Sequence, residues 1–133
     1  MEDICIFTPT YNRAHTLSLL FESLVGQNSQ RFYWLVVDDG STDETEALIK
    51  RFSLASPFRV VYVKQENGGK QRAYNTGVEH CESELFFCVD SDDVLVPSAV
   101  ETILNAWEAY RADASVAGLV GLCGRDENTP LGT

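Results

Sequence analysis

Residues 33–52 read YWLVVDDGSTDETEALIKRF and decide the fold class. The segment opens with the apolar run Tyr33–Val37, which is typical of a parallel strand buried on both faces. An acidic turn follows, in which Ser41 and Glu44 have the spacing of a capping box. Apolar residues then recur at helical spacing, at Leu48, Ile49 and Phe52. A buried strand, a polar turn and an amphipathic helix predict one βα unit of an α/β protein.

The same alternation continues in both directions along the 133 residues. Further strands are predicted at Ile4–Phe7, Val60–Val63, Leu85–Val89 and Val116–Leu122, with a hairpin turn in the tail Arg125–Thr133. Helices are predicted after Asn12, taken as an N-cap, after the turn Asn67–Gly69, and from Pro97. Right-handed βαβ units follow from this order. The prediction is therefore a Rossmann-like α/β fold, with a mostly parallel sheet covered by helices on both faces, in one domain of typical size.

The charge balance excludes some partners. The chain has 20 acidic and 10 basic residues and a net charge of -10, whereas a nucleic-acid-binding surface needs clustered Lys and Arg. We therefore expect no nucleic-acid partner and favour a protein that holds cations. No apolar run approaches the roughly 18 residues of a membrane span, and the first residues are acidic where a signal peptide is basic. We expect a cytoplasmic protein with no transmembrane segment.

The cysteines and histidines of the sequence do not indicate a metal, redox or catalytic site. The cysteines are Cys5, Cys81, Cys88 and Cys123. They form no CxxC pair, so we expect small buried hydrophobic residues rather than zinc ligands or redox centres. His15 and His80 lie on or near predicted helices and are expected at the surface.

The polar residues of this chain cluster where the predicted strands end. In open α/β sheets, ligands bind beyond the carboxyl ends of the strands. The four clusters are Thr8–Arg13, Asp38–Thr42, Lys64–Arg72 and Asp90–Asp93. Four polar loops at one edge of a sheet predict a binding site there.

The acidic cluster Asp90–Asp93 is the strongest of these. Three carboxylates within four residues repel one another unless a cation or proton lies among them, and Mg²⁺ and Mn²⁺ prefer such oxygen ligands. A solvated acidic turn is the alternative. In the neighbouring loop, Asp39 can accept a hydrogen bond from a ribose hydroxyl or a base N–H, and Asp43 is predicted to cap a helix.

The remaining two clusters carry aromatic and basic side chains. Tyr11 could pack on a base or ribose, and Arg13 could meet a phosphate, although a plain strand-to-helix turn would contain the same residues. Gly68 and Gly69, followed by Lys70 and Arg72, could bring backbone and charge close to a diphosphate. The Walker A and GxGxxG patterns do not occur.

Taken together, these motifs resemble those of the family 2 inverting glycosyltransferases, which have the GT-A fold. The matching segments are IFTPTYNR at 6–13, VVDDGSTD at 36–43, NGG at 67–69 with Ala73 and NTG at 75–77, and VDSDD at 89–93. They stand in the family's order and span nearly all of the chain.

The resemblance implies a UDP- or GDP-sugar donor, bound with Mg²⁺ or Mn²⁺, and a glycan or lipid-linked acceptor. Thr8 and Tyr11 would contact the nucleoside, Asp39 would bind the base, and Arg13, Lys70 and Arg72 would lie near the base or diphosphate. Asp90, Ser91 and Asp92 match the family's DXD motif, which holds the ribose and the metal; the metal ligands would be Asp92 and Asp93.

The family's catalytic base lies in its second half, beyond the position of Thr133. We therefore expect residues 1–133 to be a donor-binding domain that is incomplete at its C-terminus and could self-associate through a sheet edge near Val116–Leu122. Two alternatives remain: a nucleotide-sugar-binding module without transfer activity, and a receiver-like regulatory domain.

Overall fold

The computed structural model describes residues 2–110 and the backbone of two short strands beyond them. In chain order the elements are β1 (Ile4–Thr10), α1 (Ala14–Val25), β2 (Phe32–Asp38), α2 (Thr45–Ala55), β3 (Val60–Lys64), α3 (Lys70–His80), β4 (Leu85–Cys88), α4 (Ala99–Tyr110), β5 (Cys123–Gly124) and β6 (Pro130–Gly132). The predicted strand Val116–Leu122 lies outside the described residues. The antiparallel pair of β5 and β6 is consistent with the hairpin predicted for the tail.

The first four strands form one parallel sheet in the order β3-β2-β1-β4. All residues of β1 and β2 are buried, as expected of central strands. Their register pairs Thr10 with Asp38 and Asp38 with Lys64, so three strands end at the same edge. The order differs from the 2-1-3-4-5 order of flavodoxin-like proteins, a class that includes receiver domains, and the receiver-like alternative is therefore wrong.

Helices cover both faces of this sheet, which confirms the predicted fold class. One core joins side chains of β1 and β2 to the apolar residues of α1, α2 and α4. On the other face, Phe7, Tyr33 and Leu35 lie in a second core with Ala73 of α3. Alternation of side chains along each strand sends neighbouring residues to opposite cores.

Helix α3 lies unusually close to the sheet. A Cβ atom added at Gly77 would lie 2.5 Å from the ring of Phe7. Ala73 is also buried, and Cys81, just past the helix, is partly buried. The small side chains spaced four residues apart therefore allow close packing, as the sequence indicated.

Several local predictions were wrong. β1 extends three residues beyond Phe7, because Thr8, Pro9 and Thr10 continue the register with β2. Arg13, not Asn12, is the N-cap of α1, since Asn12 adopts a left-handed conformation with φ of 52°. Ser41 and Glu44 form no capping box; α2 begins only at Thr45.

The cysteines differ in burial. Cys5 is fully buried, and this burial raises the pKa of its thiol to about 12. Cys88 is exposed, contrary to prediction, because β4 is the edge strand of the described sheet. His15 and His80 are exposed, as predicted. Among the described residues, no helix combines the length and apolar character that a membrane span requires.

Candidate functional site

A cavity of about 330 Å³ opens at the carboxyl ends of the central strands. It is lined by the loops that follow β1, β2 and β4 and by the start of α3. The lining residues are Pro9, Thr10, Tyr11, Arg13, Asp39, Lys70, Ala73, Asp90, Ser91 and Asp92. The structure thus brings together all the predicted site residues except Thr8, Arg72 and the predicted metal ligand Asp93.

Hydrogen bonds of Asn12 connect the loop after β1 to the loop after β2. Its left-handed backbone is one that Asn tolerates better than most residues, and its amide oxygen accepts hydrogen bonds from the N–H groups of Thr42 and Asp43 at 2.8 and 3.3 Å. In return, the N–H of Asn12 donates to Ser41 Oγ at 2.8 Å. This exchange fixes the loop on which Tyr11 and Arg13 reach the cavity.

The Asp43 side chain binds the first N–H groups of two helices, although the N-cap residues themselves are Arg13 and Glu44. Its carboxylate accepts hydrogen bonds from the N–H of Ala14, at the start of α1, and from the N–H of Thr45, at the start of α2, at 3.3 and 3.0 Å. Burial raises the pKa of Asp43, but a hydrogen bond from the Thr45 hydroxyl, together with these N–H donors, outweighs it and holds the pKa below its usual value. The predicted capping role of Asp43 is confirmed, although it extends to a second helix.

The adjacent carboxylates Asp38 and Asp39 have different roles. Asp38 is fully buried and accepts hydrogen bonds from the Ser41 N–H and the Tyr62 hydroxyl. It therefore stabilises the loop after β2 from the interior of the protein. Asp39 lines the cavity. Burial of Tyr62, together with its hydrogen bond to Asp38, raises the pKa of that phenol.

The Asp39 carboxylate binds the turn that precedes α3. It accepts hydrogen bonds from Gln65 Nε2 and the Gly68 N–H on one oxygen and from the Gly69 N–H on the other, all at 2.9 Å. Burial raises its pKa, but these donors, with the charge of Arg72, hold the pKa below its usual value. Since a carboxylate offers about four acceptor positions, one position on the second oxygen is left for a ligand.

The turn at 67–69 also explains the position of Arg72. Gly69 has φ of 95°, a conformation that favours glycine, and α3 starts at the next residue, Lys70. The Arg72 side chain lies over Gly68, where an added Cβ would be 2.3 Å from Arg72 Cδ. Arg72 therefore supports the turn and does not line the cavity.

The acidic cluster lies across β1 from Asp39, at the end of β4. Carboxylate oxygens of Asp90, Asp92 and Asp93 all lie within 4.8 Å of one another. Burial raises the pKa of Asp93, and the nearby charges of Asp92 and Asp90 raise it further. The Lys70 ammonium lies 3.1 Å from Asp90 Oδ1. Such closely spaced oxygen donors fit the coordination preferences of Mg²⁺ or Mn²⁺.

Two threonines of β1 lie differently from the sequence prediction. Thr8 is fully buried, and its Oγ1 accepts a hydrogen bond from Trp34 Nε1 at 2.9 Å, so it does not reach the cavity. Thr10, two residues farther along the strand, lines the cavity, and among the described residues its buried Oγ1 has no hydrogen-bond partner. Sequence analysis placed Pro9 and Thr10 within the polar cluster Thr8–Arg13 but chose Thr8 rather than Thr10 as the binding threonine.

Comparison with known proteins identifies the family of this chain and supports its fold. The sequence model of the family described as Glycosyl transferase family 2 matches residues 5–131. The chain belongs to this family, which confirms the resemblance in its motifs. Glycosyltransferase GlyA of Streptococcus pneumoniae serotype 4 is 34% identical over 115 residues, covering 86% of this chain but 16% of its own length.

Two solved structures show the same fold. S. aureus TarS 1–349 in complex with UDP superposes with a TM-score of 0.77 at 22% identity, covering 95% of this chain and 40% of that one. Mannosyltransferase PcManGT from Pyrobaculum calidifontis, in complex with GDP-Man and Mn²⁺, gives a TM-score of 0.72 at 26% identity, covering 86% of this chain and 33% of that one. The chain therefore spans well under half the length of each of these relatives.

Proposed function

We propose that residues 1–133 bind a nucleotide-diphospho-sugar together with Mg²⁺ or Mn²⁺, and that the protein transfers the sugar to an acceptor with inversion. The observation that carries this proposal is the cavity to which the loops after three adjacent strands and the start of α3 contribute the family's motif residues. The names and ligands of the relatives support it: one solved relative holds UDP, and the other holds GDP-Man and Mn²⁺.

The strand order matches the order of groups in such a donor. Asp39 follows β2 and the acidic cluster follows β4, with β1 between them. A nucleoside diphosphate likewise has its base at one end, the ribose in the middle and the diphosphate at the other. We infer that Asp39 accepts an N–H of the base and that Tyr11, which is half exposed, packs against the nucleoside.

The other end of the cavity suits the leaving group. Transfer of the sugar releases a nucleoside diphosphate, on which negative charge develops. Asp92 and Asp93 would hold the divalent cation, which neutralises that charge when it is bound. Arg13 and Lys70 line the same cavity and would bind phosphate oxygens. None of the described residues is proposed as the catalytic base.

A nucleotide-sugar-binding module without transfer activity is the second candidate, because no base is assigned. The acceptor would in either case be a glycan or a lipid-linked glycan. Turnover of a radiolabelled donor by the protein in the presence of glycan and lipid-linked acceptors separates the two candidates. Donor binding without transfer to any acceptor would support the binding module.

Calorimetric titration with UDP, GDP and their sugar conjugates tests the proposal directly. We expect at least one of them to bind, and to bind more tightly with Mn²⁺ than with a chelator. If no nucleotide binds under either condition, the proposed function is wrong.

A further inference from the structure

Lys70 occupies the place where a cation would neutralise the acidic cluster. Its ammonium nitrogen lies 3.1 Å from Asp90 Oδ1, and Asp90 belongs to the group of three carboxylates that approach within 4.8 Å. We infer that Lys70 and the divalent cation compete for this cluster, and that cation binding displaces the ammonium toward the diphosphate of the donor. This inference rests on the proposed function.

The charges of the site favour such an exchange. Three neighbouring carboxylates repel one another, and either an ammonium group or a divalent cation relieves that repulsion. An ammonium group and a divalent cation bound to this cluster at the same time would repel each other, since its carboxylate oxygens lie within 4.8 Å of one another. Among the described residues, Lys70 is the one basic side chain that forms an ion pair with the cluster.

The geometry lets the side chain move while its backbone stays in place. Lys70 is the first residue of α3, directly after Gly68 and Gly69, whose N–H groups are held by Asp39. The side chain itself is 70% exposed, so its flexible stem can turn without disturbing the core. Because Lys70 and Arg13 line the same cavity, a displaced ammonium remains within reach of a bound phosphate.

The substitution Lys70→Gln has opposite consequences for the two ligands. Without nucleotide, loss of the competing charge should tighten Mn²⁺ binding by about two- to fivefold, as the small free energy of an exposed ion pair implies. With saturating Mn²⁺, loss of a phosphate contact should weaken UDP or GDP binding by a similar or larger factor. A residue that only supports the fold would weaken both.

Lys50→Gln is a closely matched control. Lys50 lies 3.1 Å from Glu46 on α2 and is also 70% exposed, and its partner is exposed to nearly the same degree as Asp90, at 42% against 43%. The substitution Lys50→Gln removes one positive charge and one exposed ion pair, as Lys70→Gln does, but Lys50 does not line the cavity. We expect the control to change neither affinity more than twofold. Lys70→Arg, which keeps the charge, should bind Mn²⁺ like the parent chain.

Free Mn²⁺ measured by electron paramagnetic resonance reports the first affinity, and calorimetry reports the second. Tighter Mn²⁺ binding by Lys70→Gln, with weaker nucleotide binding, supports the competition. Unchanged or weaker Mn²⁺ binding overturns it, even if the nucleotide still binds and the proposed function stands. If the parent chain binds neither Mn²⁺ nor a nucleotide, the proposed function and this inference both fail.

Discussion

At the scale of single residues, the neighbouring carboxylates of the β2 loop show how one residue type acquires two roles. Asp38 forms its hydrogen bonds inside the protein, whereas Asp39 holds the turn before α3 and lines the cavity. Asp39 therefore connects the candidate base-binding position to the helix that begins with Lys70. We expect its charge to affect stability as well as the proposed nucleotide binding.

The depressed pKa of Asp39 predicts a pH dependence of folding. Because the pKa is lower in the folded protein than in the unfolded chain, where it is about 3.9, the stabilisation is present above about pH 4 and lost as the pH falls through the folded value. Asp39→Asn should remove part of this acid sensitivity and, by breaking a turn hydrogen bond, lower stability near neutral pH by about 1–3 kcal/mol.

Denaturant unfolding of both chains between about pH 6 and about pH 3 measures this effect, since Asp residues titrate in that range. Glu66→Gln removes a charge beside the turn that Asp39 binds and, as an exposed substitution, should change stability by no more than about 0.5 kcal/mol. Equal pH slopes for the parent chain and Asp39→Asn would contradict the assignment.

The two threonines of β1 make a matched pair for a second prediction. The Thr10 hydroxyl is buried without a partner among the described residues, so Thr10→Val should stabilise the unliganded protein by up to about 1 kcal/mol. The same change at Thr8 leaves the buried Trp34 N–H without its acceptor and should destabilise by about 1–3 kcal/mol.

Thermal unfolding of the two variants decides the point, because the expected shifts have opposite signs. A lower melting temperature for Thr10→Val would show that its hydroxyl is satisfied in the folded protein.

At the scale of elements, α3 connects the second core to the cavity. Its small inward residues let it lie on β1, and its first residue faces the acidic cluster. The distance between α3 and the sheet is therefore set by Gly77 and Phe7. A change at this contact should move the start of α3, which lines the cavity.

Gly77→Ala tests this packing. Helix propensity alone would stabilise α3 by about 1 kcal/mol, whereas the added methyl group would lie 2.5 Å from the Phe7 ring, and overpacking costs about 1–3 kcal/mol. We expect a net loss of stability. Val78→Ala, an exposed change on the same helix, should have a small effect. A Gly77→Ala variant more stable than the parent chain would show that α3 moves away freely.

At the scale of the whole molecule, the cavity depends on loops that are far apart in the chain. Asp39 and the acidic cluster line one cavity because β2 and β4 are the two neighbours of β1 in the sheet. A ligand that contacts both loops holds the two halves of the sheet together. Binding should therefore stabilise the whole fold.

Nucleotide with Mn²⁺ should raise the melting temperature more than nucleotide with a chelator. At a ligand concentration of 100 times Kd, the stabilisation is about 2.7 kcal/mol. In the double variant Asp92→Asn with Asp93→Asn, the cation loses two of its proposed ligands, so the shift should be the same in both conditions. A double variant that still responds to Mn²⁺ would place the cation elsewhere.

The sequence alone determined the order of elements, the buried central strands and the positions of the polar loops. Each of these depends on local patterns: the apolar run Tyr33–Val37, the helical spacing of the apolar residues in α2, and the small residues of α3. Most of the cavity could therefore be predicted, since strand ends in a parallel sheet share one edge. The family resemblance added roles to those residues.

The tertiary structure decided which side chains face the cavity and what each one contacts. Capping failed as a prediction at Asn12 and Ser41 because both residues bind a neighbouring loop instead of their own helix. Thr8 binds Trp34 inside the core and Thr10 lines the cavity, because Thr10 lies nearer to the end of β1. The position of that end depends on the register with β2. The pairing of Lys70 with Asp90 joins residues 20 positions apart, and no local pattern specifies such a contact.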